Sequence, residues 1–160
     1  VERENQLNME VRIKKLTPNA IIPTKATDGA AAYDLYVPYG FGLGHGRAVI
    51  RLGLAIEVPN GYEAKIEPRS GYASKGFEGF NAHTNRKRYN CDVIVGKIDS
   101  DYRGEIGVIV NNNDVRFTIK KGQRIAQLSF YKVEDVDFIE SEDLSRTKRG
   151  TGGFGSTGSY

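Results

Sequence analysis

The sequence predicts an all-β domain of the barrel, jelly-roll or sandwich kind. Three observations carry this. Short runs of alternating or β-branched residues recur along the chain. Clusters of Gly, Pro, Asn and Asp separate them. The one stretch suited to a helix, Ser70 to Gly76, is short.

In chain order, Val11-Arg12-Ile13-Lys14 alternates apolar and polar residues and reads as a half-buried strand. Thr17-Pro18-Asn19 then turns the chain. Ala30-Ala31-Ala32-Tyr33-Asp34-Leu35 reads as a tight strand entry, and Pro38-Tyr39-Gly40 as a second turn. Phe41-Gly42-Leu43-Gly44-His45-Gly46 is glycine-rich and reads as a turn between strands. Pro59-Asn60-Gly61 leads into a second alternating run, Ala64-Lys65-Ile66-Glu67. Lys75 to Asn90 is long and polar, with Arg86-Lys87-Arg88 near its end, and reads as an extended loop or hairpin insertion. Gly107-Val108-Ile109-Val110 is a β-branched strand, followed by a turn at Asn111-Asn112-Asn113-Asp114. Arg116-Phe117-Thr118-Ile119 alternates again, Lys120-Lys121-Gly122 turns, and Ile125 to Tyr131 with Val133 closes the strand series. No repeat and no linker divides the chain.

At 160 residues the chain is long enough for one domain with a sizeable core. Charged residues make up 27% and hydrophobic residues 39%, the balance of a soluble globular protein. A net charge of +3 suits a small anionic ligand without a clustered basic face for nucleic acid. A single cysteine, Cys91, excludes an intrachain disulfide framework and fits a reducing, intracellular compartment. Cys91 has no nearby His or CxxC partner, and His45 and His83 lack companions at metal-ligand spacing. No apolar run reaches the roughly 20 residues that span a bilayer. The polar first eight residues read as a native arm or an added tag.

Five segments carry groups suited to an anionic ligand. The Ala30–Leu35 segment allows close backbone approach beside the Asp34 carboxylate. Glu67-Pro68-Arg69-Ser70-Gly71-Tyr72-Ala73 offers a cation, a hydroxyl and a flexible N–H in succession. Those groups suit a phosphate if they open a helix, or an ordinary strand-ending turn otherwise. Gly96-Lys97-Ile98-Asp99-Ser100-Asp101-Tyr102-Arg103-Gly104-Glu105 carries two acids. In a hairpin, Asp99 and Asp101 share one face. A carboxylate there orients and deprotonates water, or supports Mg2+ through water; a solvated turn is the plainer alternative. Gly122-Gln123-Arg124-Ile125-Ala126-Gln127-Leu128 offers Arg124 and Gln127 to an anion while Ile125 and Leu128 face the core. Last, Arg149-Gly150-Thr151-Gly152-Gly153-Phe154-Gly155-Ser156-Thr157-Gly158 combines glycines that free backbone N–H groups, two hydroxyls, a guanidinium and one aromatic ring. A Gly/Ser tail is the plainer alternative.

Taken in order, these segments resemble the five motifs of the trimeric all-β dUTP pyrophosphatases (dUTPases), from about residue 10 to the C-terminus. The resemblance implies a distorted jelly roll with a flexible Gly-rich C-terminal arm. The domain covers 1–147, the arm 148–160, and residues 77–90 are an insertion. It implies a homotrimer with sites at subunit interfaces, and Mg2+-dependent hydrolysis of dUTP to dUMP and pyrophosphate. By resemblance Asp99 activates the attacking water. Tyr102 stacks on deoxyribose. Arg69, Ser70, Gly71 and Gln127 hold the phosphate chain. Backbone groups of a hairpin around Val93, Gly96 and Ile98 read uracil. Phe154 stacks on uracil, and Arg149, Gly155, Ser156 and Thr157 close on the terminal phosphates. Asp34 supports a Mg2+-bound water. The resemblance implies no membrane and no direct nucleic-acid contact, and the insertion is a place for a protein partner.

The chain departs from the family pattern at Ala32, where Gly is usual, at Tyr72, where Leu is usual, and at Gln123, where Asp is usual. The stretch from Ser70 to Asp99 is also longer than usual. Two other readings share the motifs: a dCTP deaminase of the same fold, and a nucleotide-binding regulator signalling through 77–90. Retention of Asp99 and the Phe154 arm favours the hydrolase.

Overall fold

The computed structural model describes residues 8–160. The arm or tag expected at 1–8 lies outside the described residues, except for Asn8, which is exposed. Thirteen strands and one short helix follow in order: β1 (Arg12–Lys15), β2 (Tyr33–Tyr36), β3 (Phe41–Leu43), β4 (Gly46–Arg51), β5 (Leu54–Glu57), β6 (Tyr62–Glu67), α1 (Ser70–Lys75), β7 (Phe77–Glu78), β8 (Arg88–Tyr89), β9 (Cys91–Ile94), β10 (Gly96–Ile98), β11 (Gly107–Asn112), β12 (Phe117–Ile119) and β13 (Arg124–Lys132). All strand pairs are antiparallel. They form the sheets β10-β6-β13-β2 and β4-β11-β9 with three two-stranded ribbons, β1-β5, β12-β3 and β7-β8. Every sheet feeds one apolar core: Leu35, Ile66 and Leu128 from the first, Ile50, Val108 and Val110 from the second, and Ile56, Phe117 and Phe77 from the ribbons. The fold is the expected all-β, jelly-roll-like class. No helix among the described residues is long and apolar enough to cross a membrane.

The chain differs from the sequence reading at four places. Phe41 to Leu43 is strand β3, because its partner β12 supplies the buried Phe117 and Ile119; the turn is confined to Gly44-His45. Asn111 and Asn112 end β11 rather than opening a turn. Asn112 is fully buried, and its Nδ2 donates to the carbonyls of Leu43 (3.3 Å), Gly44 (3.0 Å) and Val115 (3.2 Å), so the loop after β3 is tied to the loop after β11. The last hydrogen-bonded strand ends at Lys132, and every residue from Tyr131 to Thr151 is exposed. The hydrogen-bonded body therefore stops well before residue 147.

The fourth difference is the insertion. It forms the hairpin that is one of the two readings, but its stem is buried in the core where the sequence looks polar. Phe77 and Tyr89 pair across the β7-β8 ribbon and are buried. Tyr89 stacks on Phe117 with centroids 4.5 Å apart, and Phe77 packs on Tyr72 at 4.7 Å. Phe80 exchanges two backbone hydrogen bonds with Thr118, at 3.0 and 2.7 Å. At the tip, Arg86 forms a two-pronged pair with Asp114 at 2.8 and 2.7 Å, which holds the Asp114 carboxyl well below its usual range. Gly76 makes this entry possible. Its φ of +95° is open to glycine, and a Cβ there would lie 2.8 Å from the Tyr89 carbonyl oxygen. Gly76→Ala is expected to cost about 2–3 kcal/mol, read as a lower denaturation midpoint with unchanged m-value.

Candidate active site

Sheet register builds one half of the site. Gln127 of β13 lies between Asp34 of β2 and Glu67 of β6, directly opposite both, so the three side chains share a face. Arg69 follows two residues after β6, in extended conformation, and α1 begins at Ser70. Arg124 and Gln127 are three apart and would point to opposite faces of a regular strand. A bulge between Arg124 and Ala126 inserts Ile125, so Ile125 and Leu128 are both buried, as expected, and Arg124 and Gln127 both reach the Asp34 side.

The centre of this half is Asp34, buried at 6% exposure. Its Oδ1 lies 3.3 Å from Arg69 Nε, and its Oδ2 lies 3.5 Å from an Arg124 guanidinium nitrogen. Arg69 also donates to the Arg124 carbonyl at 3.3 Å. One carboxylate thus braces two guanidiniums, so this triad carries a net positive charge beside Ser70 and Gly71 at the start of α1, while Glu67 on the same face accepts from the Tyr131 hydroxyl at 2.7 Å. Each of the Asp34 oxygens faces one guanidinium, so any contact with a divalent ion would run through water, as expected of it. Among the described residues no group of three or more His, Cys, Asp and Glu could hold a metal ion.

The second half lies at the other end of β6. Gly96 pairs with Ile66 and Ile98 with Ala64, so β10 runs away from Arg69 and Asp99 falls beside Glu63. From Glu63 to Arg69, at about 3.3 Å per extended residue, is roughly 15–20 Å. Asp99 and Asp101 are in a turn closed by the Tyr102 N–H on the Asp99 carbonyl (3.1 Å), so the strand-face argument for the pair does not apply. Asp99 is exposed, and its carboxylate makes no hydrogen bond or ion pair among the described residues. It borders a cleft of about 420 Å³ shared with Tyr62, Lys97 and Asp135. Lys97 pairs with Glu63 at 2.8 Å, which holds the Glu63 carboxyl low and the Lys97 ammonium high.

Tyr102 is half-exposed, with its hydroxyl fixed on the Glu105 carbonyl at 2.9 Å. Gly104 permits this, since a Cβ there would lie 2.4 Å from the Tyr102 hydroxyl. Arg103 ties the turn by donating to the carbonyls of Ser100 (2.7 Å) and Tyr102 (3.1 Å). Val93, Gly96 and Ile98 do not form the expected hairpin. β9 and β10 are successive halves of a run that changes sheet at Val95, and each is an edge strand. The buried side chains of Val93 and Ile98 face inward, and among the described residues the outer backbone edges have no strand partner.

The arm residues stand apart from both halves. Phe154 is fully exposed, at a φ of +51°. Arg149 donates to the Gly152 carbonyl at 2.8 Å, and the backbone bonds of Gly152, Ser156 and Gly158 also stay inside the arm. Cys91 is buried, and burial pushes its thiol up to about 12, which removes it as a nucleophile.

The family model for dUTPase matches residues 18–158. The chain belongs to the dUTPase family. It is 42% identical over 154 residues to the deoxyuridine 5'-triphosphate nucleotidohydrolase of Solanum lycopersicum, covering 92% of this chain and 80% of that protein. It is 42% identical over 160 residues to that of Hydrogenobaculum sp. (strain Y04AAS1), covering 94% and 99%. Among solved structures it resembles the Staphylococcus bacteriophage 80alpha dUTPase G164S mutant with dUpNHpp, with a TM-score of 0.78 and 25% identity over 94% of this chain and 99% of that chain.

For a dUTPase chain, sequence reasoning missed three things. Arg124 is a partner of Asp34 before it is an anion donor. Arg103 braces the turn that carries Asp99 and Tyr102. Two of the three residues expected to depart from the family pattern, Tyr72 and Gln123, touch each other: Gln123 Nε2 donates to the Tyr72 hydroxyl at 2.8 Å. Only the third had a sequence signal, the joint departure itself.

Proposed function

We propose that the protein hydrolyses dUTP to dUMP and pyrophosphate at sites assembled between copies of the chain in a homotrimer. The observation that carries this reading is the cationic cradle of Arg69 and Arg124 on Asp34, beside Gln127, in a chain of the dUTPase family. That cradle suits the triphosphate. Ser70, the Gly71 N–H and Gln127 add neutral donors. Asp99, free of partners, orients water for attack at the α-phosphorus and takes its proton. Tyr102 lies against deoxyribose and leaves no room for a 2'-hydroxyl. The unpaired backbone edge from Val93 through Gly96 to Ile98 reads the uracil ring. Mg2+ fits this site as an ion held by substrate phosphates and water, where it neutralises charge and orders the phosphate chain. In a cell the reaction would limit uracil incorporation into DNA and supply dUMP for dTMP synthesis.

Two observations support the shared site. The stretch of β6 between the Asp99 end and Arg69 is longer than a triphosphate, which favours their serving one nucleotide from different chains. The segment after β13 also leaves Val136, Phe138, Ile139 and Leu144 exposed, which suits a seat on a neighbouring copy. The arm then reaches a neighbour's site, with Phe154 on uracil and Arg149, Gly155, Ser156 and Thr157 on the terminal phosphates.

The test is pyrophosphate release with Mg2+, comparing dUTP with dCTP, dTTP and UTP. Release from dUTP alone is expected. Ammonia release from dCTP, or no release from any, would overturn the reading. Truncation after residue 147 is expected to leave the melting temperature unchanged, because the arm's bonds are internal, and to lower kcat/KM about 10²-fold by removing closure.

A further inference from the structure

Arg69 is held on three sides. Its Nε lies 3.3 Å from Asp34, one terminal nitrogen donates to the Arg124 carbonyl at 3.3 Å, and its guanidinium carbon lies over the Tyr72 ring, 5.7 Å from the centroid. The first two contacts fix its edge and leave its remaining N–H donors free. The third sets an aromatic ring against the guanidinium and so constrains how it can move. A leucine at 72 would have no ring to do this.

The ring is in turn held by the insertion. Phe77 packs on it at 4.7 Å, and Arg88 lies 5.6 Å from its centroid. Arg88 is anchored by donating to the Gly76 carbonyl at 3.1 Å. Gln123 Nε2 donates to the Tyr72 hydroxyl at 2.8 Å and to the Glu78 carbonyl at 2.6 Å, while its Oε1 accepts the Lys120 N–H at 3.1 Å. An aspartate, usual at 123, has no donor for either contact at neutral pH. Tyr72, Gln123 and the 77–90 hairpin therefore form one connected unit.

We infer that Tyr72 is a positioning residue that aims Arg69 at the phosphate chain, and that the 77–90 hairpin is an internal brace for it. This rests on the reading of Arg69 as a phosphate-binding group. The experiment measures affinity for a non-hydrolysable dUTP analogue and for dUMP, in wild type, Tyr72→Leu, Tyr72→Phe, Arg69→Gln and the Arg69→Gln/Tyr72→Leu double variant.

Tyr72→Leu is expected to weaken the triphosphate analogue by about 3- to 30-fold, the range of a partly desolvated cation–π contact, and dUMP by less than about twofold. Tyr72→Phe keeps the ring and should recover most of the loss. In the Arg69→Gln background, Tyr72→Leu should have no further effect. An equal loss in that background, or an equal loss for dUMP, would overturn the inference. If Arg69→Gln itself leaves analogue affinity unchanged, the phosphate-grip reading fails first, and that result is distinguishable. Should Tyr72→Leu fail to fold, Gln123→Ala replaces it in the same cycle, with a smaller, roughly two- to fourfold loss that also vanishes without Arg69.

Discussion

Asp99→Asn is expected to lower kcat for dUTP by about 10²–10⁴-fold, the range for removing a positioned general base. Nucleotide affinity should stay within about threefold, since the amide keeps the shape and the phosphate cradle lies elsewhere. Stability should hardly change. The Asp99 side chain is exposed and makes no contact whose loss would cost the fold, and such surface substitutions stay within about 0.5 kcal/mol. The backbone carbonyl that closes the turn onto Tyr102 is kept by any substitution. Turnover, analogue binding and a melting curve on the same preparation check all three. Near-normal turnover in a folded variant would remove Asp99 from its role and leave the Glu63 carboxylate, already paired with Lys97 at 2.8 Å, as a poor substitute.

What was legible in the sequence was what short-range pattern encodes. Gly107–Val110 reads as strand because β-branched residues suit a buried pleat, and it opens β11, the central strand between β4 and β9. Ile125 and Leu128 read as core from polarity alone, and both are buried. Ser70 to Lys75 is helical, as its short segment allowed. What was not legible depends on partners distant in sequence. The glycines of Phe41–Gly46 signal a turn, yet pairing with Phe117 and Ile119 makes its first three residues a strand. Phe77 and Tyr89 are buried because they face each other and Phe117, while the polar residues between them advertise a surface loop. The Arg124 contact of Asp34 was not legible because nothing local shows the bulge at Ile125 that brings Arg124 to it. The order of the motifs was readable along the chain. Their division between the two ends of β6 was not, because it depends on β10 pairing antiparallel to β6.

That division leads to the second large effect. Chains carrying only Asp99→Asn and chains carrying only Arg69→Gln should each be nearly inactive as pure assemblies. The first lacks the base at every site and the second lacks a phosphate cation at every site. If Asp99 of one chain serves a nucleotide held by Arg69 of another, mixed assemblies contain intact sites wherever an Arg69→Gln chain supplies Asp99 and an Asp99→Asn chain supplies Arg69. Random mixing at equal amounts makes about a quarter of the sites intact, so co-refolded protein should recover about a quarter of wild-type activity. If both residues of one chain served the same nucleotide, every site would be defective and mixing would recover nothing. Arg69→Gln removes one of the two cations on the buried Asp34 but leaves Arg124 in place, so the variant should still fold. Activity measured before and after co-refolding, against each variant refolded alone, separates the two cases, and absence of recovery in correctly assembled protein would place the whole site within one chain.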